Sequence, residues 1–432
     1  PAAGPSTGGT HLSLSGGGFV ATAPPRCRFT GGIEVPATLV SSSLVRCIVP
    51  PASETGVSGN GGMLGVVLTL DGGSTELLTP AQFVYHEPLA VSSVHPASGT
   101  ETGGTAVVVT GQGFARRLQL ACRFGFGAPV AATYLSSTMV QCITPPAVPA
   151  ASAVEITANG QDFTTSGVMY EYVDSWQVRE LVPPSGPRGG GTVVRVHGAG
   201  FANRGAVFCR FGQHTQPVPA QVISSTVVEC TSRAVDVSGS LAPLRDDEAV
   251  AVPLAVTLNG VDYVESPEVQ FTYTPVVSVV SISPAIGPAE GGAEVAVTLE
   301  PAALASTISH CRFGGAPGDA TRFVVARVLG DGASGQVACD APPQGSGSAV
   351  VAVEVSTNGV DSTSSGVRFV YLGTPTVETS HPVAAVAGRR STVAVSGTGF
   401  VHSSTLACNL TPADGDSTYS SPAAWVSATV VS

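Results

Sequence analysis

The chain has no lysine: all 19 of its basic residues are arginine, only 11% of its 432 residues are charged, and the formal net charge is −11. An average soluble domain carries about 25% charged residues. Without lysine there is no Schiff-base chemistry of the lysine type. Without a block of positive charge there is no footprint for a phosphate backbone, because counterion release needs clustered cations; nucleic acid is excluded as a partner. No apolar run approaches the ~18 residues of a membrane span, and no basic region followed by an apolar core opens the chain.

Catalytic patterns are missing as well. The histidines at 11, 86, 95, 197, 214, 310, 381 and 402 follow no repeat, and no Gly-x-Ser-x-Gly, His-Glu-x-x-His or phosphate-binding loop occurs. We expect no enzyme activity and no cofactor. Helix formers are scarce, whereas Gly (52) and Pro (33) recur throughout and Val, Thr and Ser fill the stretches between them. That balance favours strands over helices. With 43% hydrophobic residues there is ample material to bury, so the chain is not of the disordered class.

What is present is a repeat. Openings rich in proline and glycine start at Pro1, Pro96, Pro183, Pro284 and Pro382, spaced 87 to 101 residues apart, about the length of one immunoglobulin-like sandwich. The second copy reads Pro96-Ala-Ser-Gly-Thr-Glu-Thr-Gly-Gly-Thr105, then Val107-Val108-Val109, then Gly111-Gln112-Gly113-Phe114. Paired glycines suit the turn, valines suit a pleated strand, and Phe114 is placed to enter the core. Gly-x-Gly-Phe ends again at Phe19, Phe201 and Phe400. Next come Cys122-Arg123-Phe124-Gly125, then Cys142 with Pro145-Pro146, then Asn159-Gly160 and an exit through Tyr172. Asn259-Gly260 and Asn358-Gly359 repeat the turn, Asp71-Gly72 replaces it in the first copy, and Tyr85, Tyr273 and Tyr371 repeat the exit. Asn-Gly between apolar runs predicts tight hairpins.

This ordered set resembles the IPT/TIG family of immunoglobulin-like domains, over essentially the whole chain. The resemblance implies an all-β fold of E-set type, as tandem sandwiches in an elongated rod. The expected units are residues 1–87, 88–173, 174–274, 275–372 and a truncated fifth at 373–432. The joints between them are short and carry proline, as in His86-Glu87-Pro88 and Thr274-Pro275, which limits pivoting. The fourth copy has Thr298-Leu299-Glu300-Pro301 where the Gly-Phe bend belongs, so its second strand should end differently. The fifth has Cys408-Asn409-Leu410 in place of Cys-Arg-Phe.

Repeat symmetry pairs the cysteines within units: Cys27 with Cys47, Cys122 with Cys142, Cys209 with Cys230, Cys311 with Cys339. Each bridge would close a loop of roughly 20 residues and stabilise its unit by about 3 kcal/mol; matched pairs of buried free thiols are the alternative. Zinc has no four-ligand set. Cys408 is left over, and the chain ends on Ala428-Thr429-Val430-Val431-Ser432, where earlier copies reach their second cysteine. The expectation is therefore a segment of a longer protein that stops inside the fifth unit.

Asp162, Asp262 and Asp361 stand at one offset after the Asn-Gly turns. One carboxylate per turn is too few for calcium, so turn chemistry is the favoured reading. The acidic cluster Asp246-Asp247-Glu248 reads as a solvated loop. Arg28, Arg123, Arg210 and Arg312 follow the first cysteine and could line the rod, although pairing within their own sheets is favoured. Unit-specific loops at Asp246 and at Leu329-Gly330-Asp331-Gly332 are the places for partner choice. Asn409-Leu410-Thr411 is the one N-glycosylation sequon, and Pro412 weakens it.

So few charges on a rod imply a cover, by lateral packing or by O-linked sugar. We expect an extracellular structural protein of a cell-surface or ciliary filament whose partners are copies of itself, other surface proteins, or glycans. The resemblance also allows, as the second reading, an adhesion or receptor ectodomain, since plexin-like and fibrocystin-like proteins carry such repeats. The lysine-free style resembles that of green-algal proteins, whose surface filaments include mastigonemes. An accessory module of a secreted carbohydrate enzyme is a third class.

Overall fold

The computed structural model describes all residues except 73–75, 204, 214, 236–247, 316–321, 331–333, 346–347, 385–389, 401–405, 412–418 and 428. It is all-β, with one short α-helix at Ala52–Thr55 and one 3-10 helix at Ala302–Thr307. Its strands fall into five successive groups. The second shows the plan: Thr133–Ser136, Met139–Ile143, Ala106–Gln112 and Ala90–His95 make one sheet, while Val130–Ala131, Ala121–Phe124, Ala151–Thr157, Met169–Val173 and Ser98–Thr100 make the other. Period-two burial follows from the alternating sequence: Val107 and Val109 are buried while Ala106 and Val108 are partly exposed.

Disulfides join Cys27 to Cys47, Cys122 to Cys142, Cys209 to Cys230 and Cys311 to Cys339. Cys122 and Cys142 lie in opposite sheets, so each bridge staples a sandwich through its core. The exit aromatics pack beside them. Phe83 and Tyr85, Tyr170 and Tyr172, Phe271 and Tyr273, and Phe369 and Tyr371 are all buried, edge to face with ring centroids 5.5, 5.0, 5.0 and 4.9 Å apart, the geometry aromatic quadrupoles prefer. Burial pushes the Tyr273 hydroxyl up to about 12.

Phe114 and Phe201 are buried at the Gly-x-Gly-Phe bend. The bend works because Gly111, at a β-bulge, has the Ala90 carbonyl and the Phe114 ring where a Cβ would stand. In the fourth group the 3-10 helix after Pro301 takes over, burying Leu304 and Ala305.

Each opening tripeptide pairs parallel with the exit strand of its own group: Gly4 opposite Tyr85, Gly99 opposite Tyr172, Gly186 opposite Tyr273 and Gly287 opposite Tyr371. The accessible surface is 22334 Å², against roughly 15,000 Å² for a compact protein of this length. The groups are strung out rather than clustered.

Candidate functional site at the joints between repeats

The Asn-Gly turns lie where repeat meets repeat. They close antiparallel hairpins as the sequence suggests, through loops longer than two residues: Thr157 pairs with Phe163 in the second repeat and Val256 with Val264 in the third. Around the turn, the Asn259 Oδ1 accepts the backbone N–H of Val261 and of Asp262 at 3.1 and 2.9 Å, and the Gly260 N–H donates to the Thr257 hydroxyl at 2.9 Å. This is an Asx-type turn, and it leaves the Asn259 amide nitrogen free to reach outward.

It reaches the preceding repeat. Asn259 Nδ2 donates to the Ser98 carbonyl at 2.8 Å and to Asp262 Oδ2 at 2.8 Å, while the Thr105 hydroxyl donates to the same Asp262 oxygen at 2.7 Å. One joint earlier, Asn159 donates to the Ala3 carbonyl at 2.9 Å and Thr10 to Asp162 at 2.6 Å. One joint later, Asn358 donates to the Ser185 carbonyl at 2.7 Å and Thr192 to Asp361 at 2.7 Å. Thr10, Thr105 and Thr192 have no exposed surface, and Asn259 is buried too. Hydrogen bonds to a carboxylate shielded in this way are stronger than neutral ones.

Close approach is built into the lip that receives the turn. A Cβ on Gly99 would overlap the Tyr170 hydroxyl and the Thr105 hydroxyl and press on Asp262. Gly4 and Gly186 are crowded in the same manner by Thr10 and Thr192.

Each joint adds its own contacts. At the first, His86 is buried, with Nδ1 2.8 Å from the Glu87 carbonyl; burial lowers its pKa, the Glu87 carbonyl bond and Asp162 oppose that, and Arg117 adds to the lowering. Arg117 reaches across to Asn60, whose amide donates to Glu87 at 3.1 Å. At the second, Ser175 donates to Glu101 at 3.0 Å and the Trp176 indole is buried in the third repeat, donating to the Val256 carbonyl at 3.0 Å.

The aspartates thus face a hydroxyl and an amide donor, a set that suits a carboxylate and not a cation. Among the described residues no group of three or more His, Cys, Asp or Glu could hold a metal ion. The turn chemistry expected from the sequence is present; the inter-repeat bonds lie beyond what the sequence pattern suggests. The signal available is the fixed Gly-Gly-Thr in each of the first three openings, set against the fixed Asn-Gly-x-Asp.

The arginines do not form a free row. Arg28 pairs with Glu76, and Arg123 Nε donates to Glu155 at 2.9 Å beneath a stack on Phe163. Arg210 lies over Tyr263, 4.3 Å from the ring centroid, and Arg312 is buried beside its cross-strand neighbour Glu354. Cys408 has no partner among the described residues, and Asn409 is exposed in the strand Ala407–Leu410. Asp246, Asp247 and the tip of the loop at Asp331 lie outside the described residues; the carbonyl of Glu248 accepts from Arg188. No helix is long and apolar enough to cross a membrane, among the described residues.

Comparison with known proteins finds partial likenesses and one family match. Plexin-2 of Caenorhabditis elegans is 29% identical over 156 residues and Plexin-2 of Caenorhabditis briggsae 30% identical over 157, in each case 34% of this chain. The chain matches 8% of the length of each of these relatives. Among solved structures, the full extracellular region of plexin A4 aligns with 99% of this chain and 41% of its own length, at 14% identity and a TM-score of 0.35. Invasin, a bacterial integrin-binding protein, aligns with 85% of this chain and 77% of its own length, at 11% identity and a TM-score of 0.22. Residues 1–85, 89–172, 177–273 and 277–371 each match the IPT/TIG domain, and the chain belongs to that family.

Proposed function

We propose that this chain is a non-catalytic extracellular arm, a disulfide-braced spacer that holds a binding or assembly surface at a set distance and orientation. The observation that carries the reading is the same Asn, Asp and Thr bond set at three successive joints, with the lip residues spaced to receive it. A tether meant only to give reach would need none of these bonds. Four bridged cysteine pairs support an oxidising compartment, and likeness to plexins supports a cell-surface protein with protein partners. Small-angle X-ray scattering tests the arm. An elongated profile that stays unchanged with salt is expected, and a profile of freely jointed beads overturns the reading.

A second reading, assembly of such arms into a surface or ciliary filament of the mastigoneme kind, is favoured by the 11% charge content and by exposed Met139, Ile143, Met63 and Phe126. Lateral packing, or sugar on the Ser- and Thr-rich surface and at Asn409, would cover them. Immunogold labelling of source cells with an antibody to the second and third repeats separates the two. Periodic label along a filament supports assembly, whereas diffuse label on the plasma membrane supports an adhesion or receptor ectodomain.

A further inference from the structure

Asparagine precedes glycine at 60, 159, 259 and 358, and the last three of these pairs sit in the turns that reach a neighbouring repeat. An Asn-Gly pair carries a latent reaction. The glycine nitrogen bonds to the asparagine Cγ, the side-chain nitrogen leaves as ammonia, and water opens the resulting succinimide ring to aspartate or isoaspartate. Amide and water become acid and ammonia, with no other reactant. Glycine allows this because no Cβ hinders the approach of its nitrogen.

The turn itself favours attack. Asn259 Oδ1 accepts the N–H groups of Val261 and Asp262, and paired donors of this kind stabilise the oxyanion that forms when a carbonyl is attacked. The same pair stands at Asn159, from Gln161 and Asp162 at 3.0 and 2.8 Å, and at Asn358, from Val360 and Asp361 at 3.0 and 2.9 Å. All these donors belong to the asparagine's own repeat, so they stay when a joint opens.

The seal comes from the neighbour. Asn259 Nδ2, the leaving nitrogen, faces two acceptors: the Ser98 carbonyl, and an Asp262 oxygen that Thr105 also holds. Neither can give the proton that ammonia needs in order to depart. Water is kept away as well, since Asn259 is only 4% exposed. At Asn159 the neighbour's parts are the Ala3 carbonyl and Thr10, and at Asn358 the Ser185 carbonyl and Thr192. Asn60 differs: it is open to solvent, and its partners Glu87 and Arg117 meet it at the surface. The glycine N–H does not separate the sites, because Gly61 donates to the Tyr85 carbonyl at 2.8 Å as Gly260 donates to Thr257 at 2.9 Å.

We propose that Asn159, Asn259 and Asn358 are covalent modification sites, poised for deamidation by their own turn and sealed by the preceding repeat, and that conversion unlatches the joint for good. In the product a carboxylate oxygen stands where Nδ2 stood. It has no proton for the Ser98 carbonyl and repels the Asp262 carboxylate beside it. Each joint thereby records an opening that outlasts the reaction. The proposal goes beyond the spacer reading and holds whatever the arm carries.

The test follows all four asparagines in one full-length chain. The protein is incubated in mildly alkaline heavy-oxygen water, which marks only acids formed during the incubation, and its peptides are mapped by mass spectrometry. Asn60 should convert first and the joint asparagines about tenfold more slowly or beyond, the worth of a hydrogen bond to a charged group. In unfolding urea the four rates should converge. Thr105→Ala removes the neighbour's donor and should speed Asn259 about tenfold, leaving Asn159 and Asn358 unchanged; Thr192→Ala should speed Asn358 alone. Acceleration of Asn159 by Thr105→Ala would mean that the second repeat itself has loosened, and Thr192→Ala then decides. Asn259→Asp, the product made directly, should lose exchange protection at 98–105, which Asn60→Asp should retain. Joint asparagines that convert as fast as Asn60 in the native chain, or lip variants that leave Asn259 and Asn358 unchanged, overturn the seal. Intact protection at 98–105 in Asn259→Asp overturns the unlatching.

Discussion

The interior of the third repeat and the joint that ties it to the second are made of opposite materials. The interior is Val194, Val196, Val228, Leu254, Val256 and Phe271 around the Cys209–Cys230 bridge, all almost free of exposed surface. The bonds the joint shares with its neighbours come from three side chains, Asn259, Asp262 and Thr105, and one carbonyl, beside the linker's buried Val173 and Trp176. Apolar packing is non-directional and spreads over many neighbours, so it sets how firmly a repeat folds. A few hydrogen bonds are directional and add little to total stability, so they set how repeats are aimed. Folding and alignment are therefore separable properties of this chain.

That separation can be broken from either side. The largest effect is expected from Phe271→Ala, which removes an aromatic packed against both Phe211 and Tyr273. It should lower the unfolding free energy of the third repeat by about 3–5 kcal/mol in urea titration followed by hydrogen exchange, and leave the first repeat unchanged. Replacing Cys209 and Cys230 together by alanine should lower the same quantity by about 3 kcal/mol. Asn259→Ala works on the other property. It leaves the Ser98 carbonyl and Asp262 short of a donor, so the coupling between the second and third repeats should fall by about 1–3 kcal/mol. The readout is exchange protection lost at 98–105 and 257–262, with the core amides unaffected.

The first joint adds a dependence on pH. Burial holds the His86 pKa below its ordinary value against the Glu87 carbonyl bond and the pull of Asp162, with Arg117 adding to the lowering. Because the folded value is lowered, the neutral ring is the stable form there. The joint is at full strength above about pH 6.5, the unfolded value, and weakens as pH falls below it. His86→Val, the residue type that Val173 supplies at the next joint, should abolish that dependence in a pH series of exchange protection. The smallest effect is expected from Arg28→Ala, since the pair with Glu76 is solvent-exposed; less than about 0.5 kcal/mol should be lost in thermal unfolding.

Much of this architecture is legible in the sequence. Matched cysteines, exit aromatics and valine alternation carry the sandwich, because burial with a period of two leaves a direct trace in residue type. The glycine bend alone is enough to place Phe114 and Phe201 in the core. The joints are not legible in the same way. Thr105 and Asp262 lie far apart in sequence, and a threonine or an aspartate in a turn is explained well enough by local chemistry that nothing calls for a distant partner. The Asn-Gly pairs mark the hairpins correctly, but the rule that reads them considers only the strands on either side and not the repeat that the turn touches.

The parallel pairing of each opening tripeptide with the exit strand of its own repeat has a mechanical consequence. Two parallel strands pulled from the start of one and the end of the other slide along each other. Tension along the arm therefore loads the bonds between Ala3–Pro5 and Val84–His86, and their counterparts in the next three repeats, in shear, so that they must fail together. The same tripeptide carries the carbonyl that holds the next repeat's asparagine at the first three joints. Load passes from repeat to repeat through the segment best placed to resist it.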